Sequence, residues 1–160
     1  MEQLKRLSQA TGELLLAEKQ ILVTAESCTG GGVACAVTDI AGSSEWFDRA
    51  FVTYSNDAKM EMLGVRPDTL EQFGAVSQQV VEQMAQGALA HSNGTISVAI
   101  SGIAGPGGGS EDKPVGTVWF AWQKGEQKVQ RVHLFSGDRE AVRAQACVTA
   151  LQGVNKLLKD

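Results

Sequence analysis

The stretch Ile21-Leu22-Val23-Thr24-Ala25-Glu26-Ser27-Cys28-Thr29-Gly30-Gly31-Gly32 decides how this chain is read. Its apolar opening reads as a buried strand over about 20–25, and Val33-Ala34-Cys35-Ala36-Val37 reads as a helix running to about 38. A strand, a turn of small residues and a helix start leave unpaired backbone N–H groups around a hydroxyl. Such a turn can hold an anion, or stabilise an oxyanion beside a nucleophile. It equally suits a tight connection whose glycines only make room for packing.

Working outward, Leu4, Leu7, Thr11, Leu14 and Leu15 recur at helical spacing and predict an amphipathic helix over 2–18. On the other side, Ala41-Gly42-Ser43-Ser44 is a loop, and Trp46-Phe47 is expected to pack on the core or on a neighbouring subunit. Residues 49–54 read as a second strand, Ser55-Asn56-Asp57 as helix-cap chemistry, and 58–63 as a short helix stopped by Gly64. Pro67-Asp68-Thr69 opens another short turn or helix. Ser77 is a good N-cap for a long helix with a stripe of Val80, Val81, Met84, Ala85, Ala88 and Leu89, ended by Asn93-Gly94. Residues 95–100 form a compact apolar run typical of a central strand.

A second glycine cluster follows, Ser101-Gly102-Ile103-Ala104-Gly105-Pro106-Gly107-Gly108-Gly109, and runs on to Pro114. No regular element survives that density of Gly and Pro, and its place between two strands points to a functional loop rather than a linker. Residues 115–123 and 128–136 read as an antiparallel hairpin turning at Lys124-Gly125-Glu126. Asp138 caps a last helix with the apolar face Val142, Ala146, Ala150, Val154 and Leu157. Helices separated by strands imply a layered α/β domain, and the terminal hairpin makes its sheet mixed. Glycine clusters follow the first and third strands, and ligands in open α/β sheets bind at such carboxyl ends.

Composition narrows the partners. With 160 residues, 43% hydrophobic and 20% charged, the chain suits one domain with a substantial core. A formal net charge of −4 argues against a broad nucleic-acid footprint but leaves room for a local anion pocket. No apolar run approaches the ~20 residues of a membrane span, and the N-terminus lacks a secretory core. Cys28, Cys35 and Cys147 match neither a disulfide framework nor a zinc pattern, so a reduced, cytoplasmic protein is expected. Carboxylates are scattered with no metal-ligand spacing.

Serine needs a base to act as a nucleophile. The two histidines, His91 and His133, lie outside both glycine motifs. Lys59, a few residues past the second strand, is the other option. If strands one and two are neighbours, Ser27 and Lys59 emerge at one edge, and desolvation would lower the lysine pKa in the needed direction. Tyr54 could relay a proton or orient the amine. Each side chain also fits a bland role: Lys59 as a solvated helix lysine, Tyr54 as a core ring with its hydroxyl outward. Cys28 competes as a nucleophile, since a helix N-terminus lowers a thiol pKa. Arg139 and Arg143, one helical turn apart, could face a phosphate together or lie on a solvated face.

Taken together, Ala25-Glu26-Ser27-Cys28-Thr29-Gly30-Gly31, Val52-Thr53-Tyr54-Ser55-Asn56 with Lys59, Gly74-Ala75-Val76-Ser77, Ser101-Gly102-Ile103-Ala104-Gly105-Pro106-Gly107-Gly108, and Gly137-Asp138-Arg139 with Arg143 resemble the C-terminal domain of the CinA family, the nicotinamide mononucleotide (NMN) deamidases. The resemblance spans almost the whole chain and is to the stand-alone deamidase form. Ser101 stands where many relatives would carry Thr, and keeps the hydroxyl.

The resemblance implies a three-layer αβα domain over 1–160 with a mixed, mostly parallel sheet of about five strands. It implies hydrolysis of the NMN carboxamide by a serine–lysine amidase, with Ser27 as nucleophile, Lys59 as general base and Tyr54 assisting. Substrate binding is expected at Thr29, Gly30, Gly31, Ser101, Gly102, Gly105, Arg139 and Arg143. No metal or cofactor is required, and a homo-oligomer is expected. A non-catalytic nucleotide-binding module and a cysteine hydrolase centred on Cys28 are the competing expectations.

Overall fold

A computed structural model describes residues 2–160. Five strands form one sheet in the order β2-β1-β3-β4-β5. These are β1 (Leu22–Glu26), β2 (Phe47–Val52), β3 (Ile96–Gly102), β4 (Thr117–Lys124) and β5 (Gln127–Leu134). β1 lies parallel to both β2 and β3, β3 antiparallel to β4, and β4 antiparallel to β5. The ladders thus divide evenly by type, yet four of the five strands run in one direction and only β4 is reversed. The mixed five-stranded sheet expected from the sequence is present.

The strands alternate their side chains between two cores. Leu22, Ile96, Val98, Ile100, Val118, Phe120 and Trp122 point into one cluster with α1 (Glu2–Glu18), α2 (Gly32–Thr38) and α6 (Arg139–Lys159). Val23, Ala25, Ala99 and Ala121 face the other, closed by α3 (Asn56–Leu63), α4 (Pro67–Phe73) and α5 (Gln78–Ala90). The central strands are buried on both faces, and their polar residues Thr24, Glu26, Ser97 and Ser101 are buried along with the apolar ones. Each fully buried Ile or Leu there contributes about 1.5–3 kcal/mol over its exposed state.

Local chemistry places the elements where the sequence predicts them, with small shifts. α1 spans the predicted range. Ser77 caps α5 by accepting from Val80 N–H, but α5 ends at Ala90, ahead of Asn93-Gly94. Asp138 caps α6 by accepting from Ala141 N–H at 2.9 Å. The β4–β5 turn is the two-residue Gly125-Glu126, with φ +60° at Gly125, the position where a tight hairpin requires glycine. β2 begins two residues earlier than predicted, at Phe47, with a register shift after its first pair. Trp46 is buried at 3% exposure in the α1/α2/α6 core, where Gly12 leaves room for its indole.

α3 rides on α5 through a close backbone approach at Gly87. A Cβ there would overlap the Leu63 carbonyl oxygen. Gly87→Ala therefore forces the two helices apart and is expected to cost about 1–3 kcal/mol of stability, measured by denaturant unfolding. An unchanged midpoint would show that the helices are free to separate there.

The strand directions decide where function can sit. β1, β2, β3 and β5 all end at one rim, and β4 begins there. The connections 27–31, 53–55, 103–116 and 135–138 therefore converge on one side of the sheet.

Candidate active site

Ser27 is the first residue past β1. Its N–H donates to Ile100 O at 3.0 Å, extending the ladder to β3 by one step and fixing where the hydroxyl emerges. Gly30 N–H then donates to Ser27 O at 3.0 Å and closes the turn, with φ +58° at Gly30 and +97° at Gly31. Those backbone angles favour glycine.

Lys59 reaches the same point from α3. Ser55 starts that helix, its Oγ accepting from Ala58 N–H at 3.0 Å, and Gly64 ends it at φ +72°. Lys59 sits just past this cap and projects into the sheet rim. Its Nζ lies 3.1 Å from Ser27 Oγ and 3.1 Å from Thr53 O. At 1% exposure it is fully buried. The only ion pairs among the described residues are Arg49–Asp48 and Arg66–Asp68, so no carboxylate compensates the amine. Burial without an anion partner disfavours the ammonium form and moves the Lys59 pKa below its ordinary 10.5.

The N-terminus of α2 is not open. Glu26 is fully buried and its carboxylate accepts from Thr24 Oγ1 at 3.0 Å, Thr29 Oγ1 at 2.7 Å, and the Val33 and Ala34 N–H groups at 3.0 Å each. The anion expected at the start of α2 is thus supplied by the chain itself. Thr29 turns inward to that carboxylate at 1% exposure.

A cleft of about 270 Å³ opens over the Ser27–Lys59 pair. Cys28, Tyr54, Asn56, Ala75, Val76, Ser101, Gly102, Ala104 and Arg139 complete its wall. Of the residues expected at the site, Ser27, Tyr54, Lys59, Ser101, Gly102 and Arg139 are brought together. Thr29, Gly30, Gly31, Gly105 and Arg143 do not line the cleft. Gly105 instead offers its carbonyl to Arg139 Nη1 at 2.7 Å. Arg143 donates from Nε to Cys28 O at 3.0 Å and from Nη2 to Thr29 O at 3.2 Å.

Tyr54 stands at the mouth, 61% exposed. Its hydroxyl accepts from Arg139 Nη2 at 2.9 Å, and it makes no hydrogen bond to the Lys59 amine. His91 Nδ1 is 2.8 Å from Gly87 O, and neither histidine lines the cleft. The Cys28 thiol is buried at 5% exposure, and burial is the main cause that pushes its pKa up to about 11. At neutral pH it is a thiol and a weak nucleophile. Among the described residues no cluster of three or more His, Cys, Asp or Glu could hold a metal.

Sequence reasoning missed Glu26 as a structural anion and Asn56, Ala75, Val76 and Ala104 as wall residues. The available signal for Glu26 was an acidic residue ending an apolar strand, seven residues ahead of the first free N–H of the next helix. Nothing in the spacing separated Arg143 from Arg139.

The geometry places a serine hydroxyl beside a buried lysine amine at the carboxyl rim of an α/β sheet. A family model described as the CinA C-terminal domain matches residues 4–158. The chain belongs to the CinA family. The nicotinamide-nucleotide amidohydrolase PncC of Escherichia coli (strain K12) is 58% identical over 151 residues, which covers 94% of this chain and 92% of that protein. PncC of Pseudomonas putida is 50% identical over 157 residues, 98% of each. The crystal structure of competence/damage inducible protein CihA from Agrobacterium tumefaciens has a TM-score of 0.94 at 43% identity, covering 99% of this chain and 96% of that one.

Proposed function

We propose that this chain hydrolyses the carboxamide of NMN to nicotinate mononucleotide and ammonia, through a serine–lysine amidase mechanism. The observation that carries the mechanism is the 3.1 Å approach of a buried, uncompensated lysine amine to Ser27 Oγ. The substrate rests on the nicotinamide-nucleotide amidohydrolases that match at 50–58% identity along nearly their whole length.

In this reading Lys59 is a neutral amine. It donates one hydrogen to Thr53 O and turns its lone pair toward the Ser27 O–H. Ser27 Oγ attacks the carboxamide carbon as its proton passes to Lys59 Nζ. The tetrahedral oxyanion is received by backbone N–H groups of the Ser27 turn. Lys59 then returns the proton to the amide nitrogen, the C–N bond breaks, and ammonia leaves. Water attacks the resulting ester, gives its proton to Lys59, and Ser27 Oγ regains that proton as nicotinate mononucleotide is released. Arg139, with Tyr54 and the Ser101-Gly102 backbone, receives the ribose phosphate at the mouth. Tyr54 acts on the substrate side, through Arg139, rather than on the lysine. The product is a precursor for pyridine nucleotide salvage.

The deciding assay is ammonia release from NMN, with nicotinate mononucleotide identified as co-product. Stoichiometric release supports the reading. Binding of NMN without ammonia would overturn it in favour of a nucleotide-binding module.

A further inference from the structure

Arg143 does not line the cleft; its guanidinium is engaged by two backbone carbonyls. Its guanidinium comes from the second turn of α6 and forks onto two successive carbonyls, Cys28 O at 3.0 Å and Thr29 O at 3.2 Å. Gly30 leaves the space for this approach: a Cβ there would stand 3.2 Å from Arg143 Nη2. Arg139, one turn earlier, reaches the cleft wall instead.

The turn is held from every side. Ser27 O is taken by Gly30 N–H, Thr29 O also by Gly32 N–H at 2.9 Å, and Thr29 Oγ1 by Glu26. By contrast, among the described residues neither Cys28 N–H nor Thr29 N–H donates to any oxygen. In a planar trans peptide the N–H points opposite to the C=O. Drawing the Cys28 carbonyl toward α6 therefore turns the Thr29 N–H away from α6. A charge-assisted bond to that carbonyl also polarises the same peptide and makes its N–H a stronger donor. In acyl transfer the N–H of the residue after a nucleophilic serine is a recurring oxyanion donor.

We propose that Arg143 is a positioning residue: it fixes and polarises the Ser27–Thr29 turn so that the Cys28 and Thr29 N–H groups meet the developing oxyanion, and it does not bind the substrate phosphate. This inference rests on Ser27 being the nucleophile. It predicts opposite kinetic signatures for two arginines that the sequence presents as equivalents.

The test compares Arg143→Met, Arg143→Lys and Arg139→Met with the wild-type chain. Arg143→Met lowers kcat for NMN on the order of 10- to 100-fold, below the full loss of an oxyanion donor, and leaves KM within about twofold. Arg143→Lys recovers part of kcat, because an ammonium supplies charge without the two-pronged fork. Arg139→Met raises KM with a smaller change in kcat. The acid limb of the pH–rate profile stays in place in Arg143→Met, since the lysine is untouched, whereas a general collapse of the site would move it.

A second readout needs no NMN. Ser27 is labelled with a fluorophosphonate: Oγ bonds to phosphorus, fluoride leaves, and the hydroxyl proton passes to Lys59. The labelling rate, followed by intact mass, falls in step with kcat in Arg143→Met and Arg143→Lys and holds in Arg139→Met. A rise in KM with kcat kept, or labelling unchanged in Arg143→Met, overturns the proposal. Should the wild-type chain label at Ser27 but release no ammonia from NMN, the substrate reading fails and the labelling series alone decides the role of Arg143.

Discussion

Ser27→Ala lowers ammonia release from NMN by about 10⁴-fold or more, while the fold and NMN binding persist. Loss of a nucleophile in an acyl-transfer site removes the covalent route altogether and leaves only binding and oxyanion stabilisation. The side chain is 8% exposed and small, so its removal leaves little cavity. Calorimetric titration of Ser27→Ala with NMN separates lost chemistry from lost binding. The matched variant is Cys28→Ala, which retains most of its turnover, because burial holds that thiol at about 11, far above neutral pH. If Cys28→Ala were dead and Ser27→Ala active, the nucleophile would be the cysteine.

Lys59→Met has the second largest effect, about 10³-fold or more in kcat/KM, from loss of the base that activates Ser27. The pH dependence carries the sign. The base works only when neutral, so the wild-type rate falls as pH drops through the depressed Lys59 pKa. Stability follows the same titration. Folded Lys59 loses its proton at lower pH than the unfolded side chain, whose ordinary pKa is 10.5, so the unfolded state binds more protons between those two values. Wild-type stability therefore rises with pH across that window, and the slope is absent from Lys59→Met. Denaturant unfolding of both proteins across alkaline pH measures it. A stability difference independent of pH would mean that the amine stays charged in the fold, and would remove it as the base.

Which parts of this were legible in the sequence has a physical logic. The helix caps Ser55, Ser77 and Asp138 act locally, within three residues, and all three are used as their spacing implies. The Ser27–Lys59 pairing was also within reach, because the apolar runs of β1 and the Val52-Thr53-Tyr54 stretch imply neighbouring strands with a common rim. The strand boundary at β2 was less legible. Thr53 and Tyr54 look like strand residues, yet β2 ends at Val52; Thr53 N–H makes one last bond to Glu26 O at 2.9 Å, and the Thr53 carbonyl turns to the lysine amine. Tyr54 reads as a partner of Lys59 from its position, whereas its hydroxyl meets Arg139, 85 residues away. The division of labour between Arg139 and Arg143 depends on where α6 crosses the Ser27 turn. That crossing is set by packing of Val142, Ala146 and Ala150 into the core, and no local pattern encodes it.

One consequence of the Glu26 carboxylate concerns selectivity among anions. A crossover of this shape ordinarily welcomes free phosphate or sulfate at its helix start. Here that berth is taken by a tethered acid at zero exposure, held by four donors. Among the described residues, the basic side chain that lines the cleft besides Lys59 is Arg139, on the opposite bank. Under the proposed function, discrimination between a phosphorylated ligand and a bare one would then fall to the loop between β3 and β4 and the first residue of α6, and not to the turn after β1.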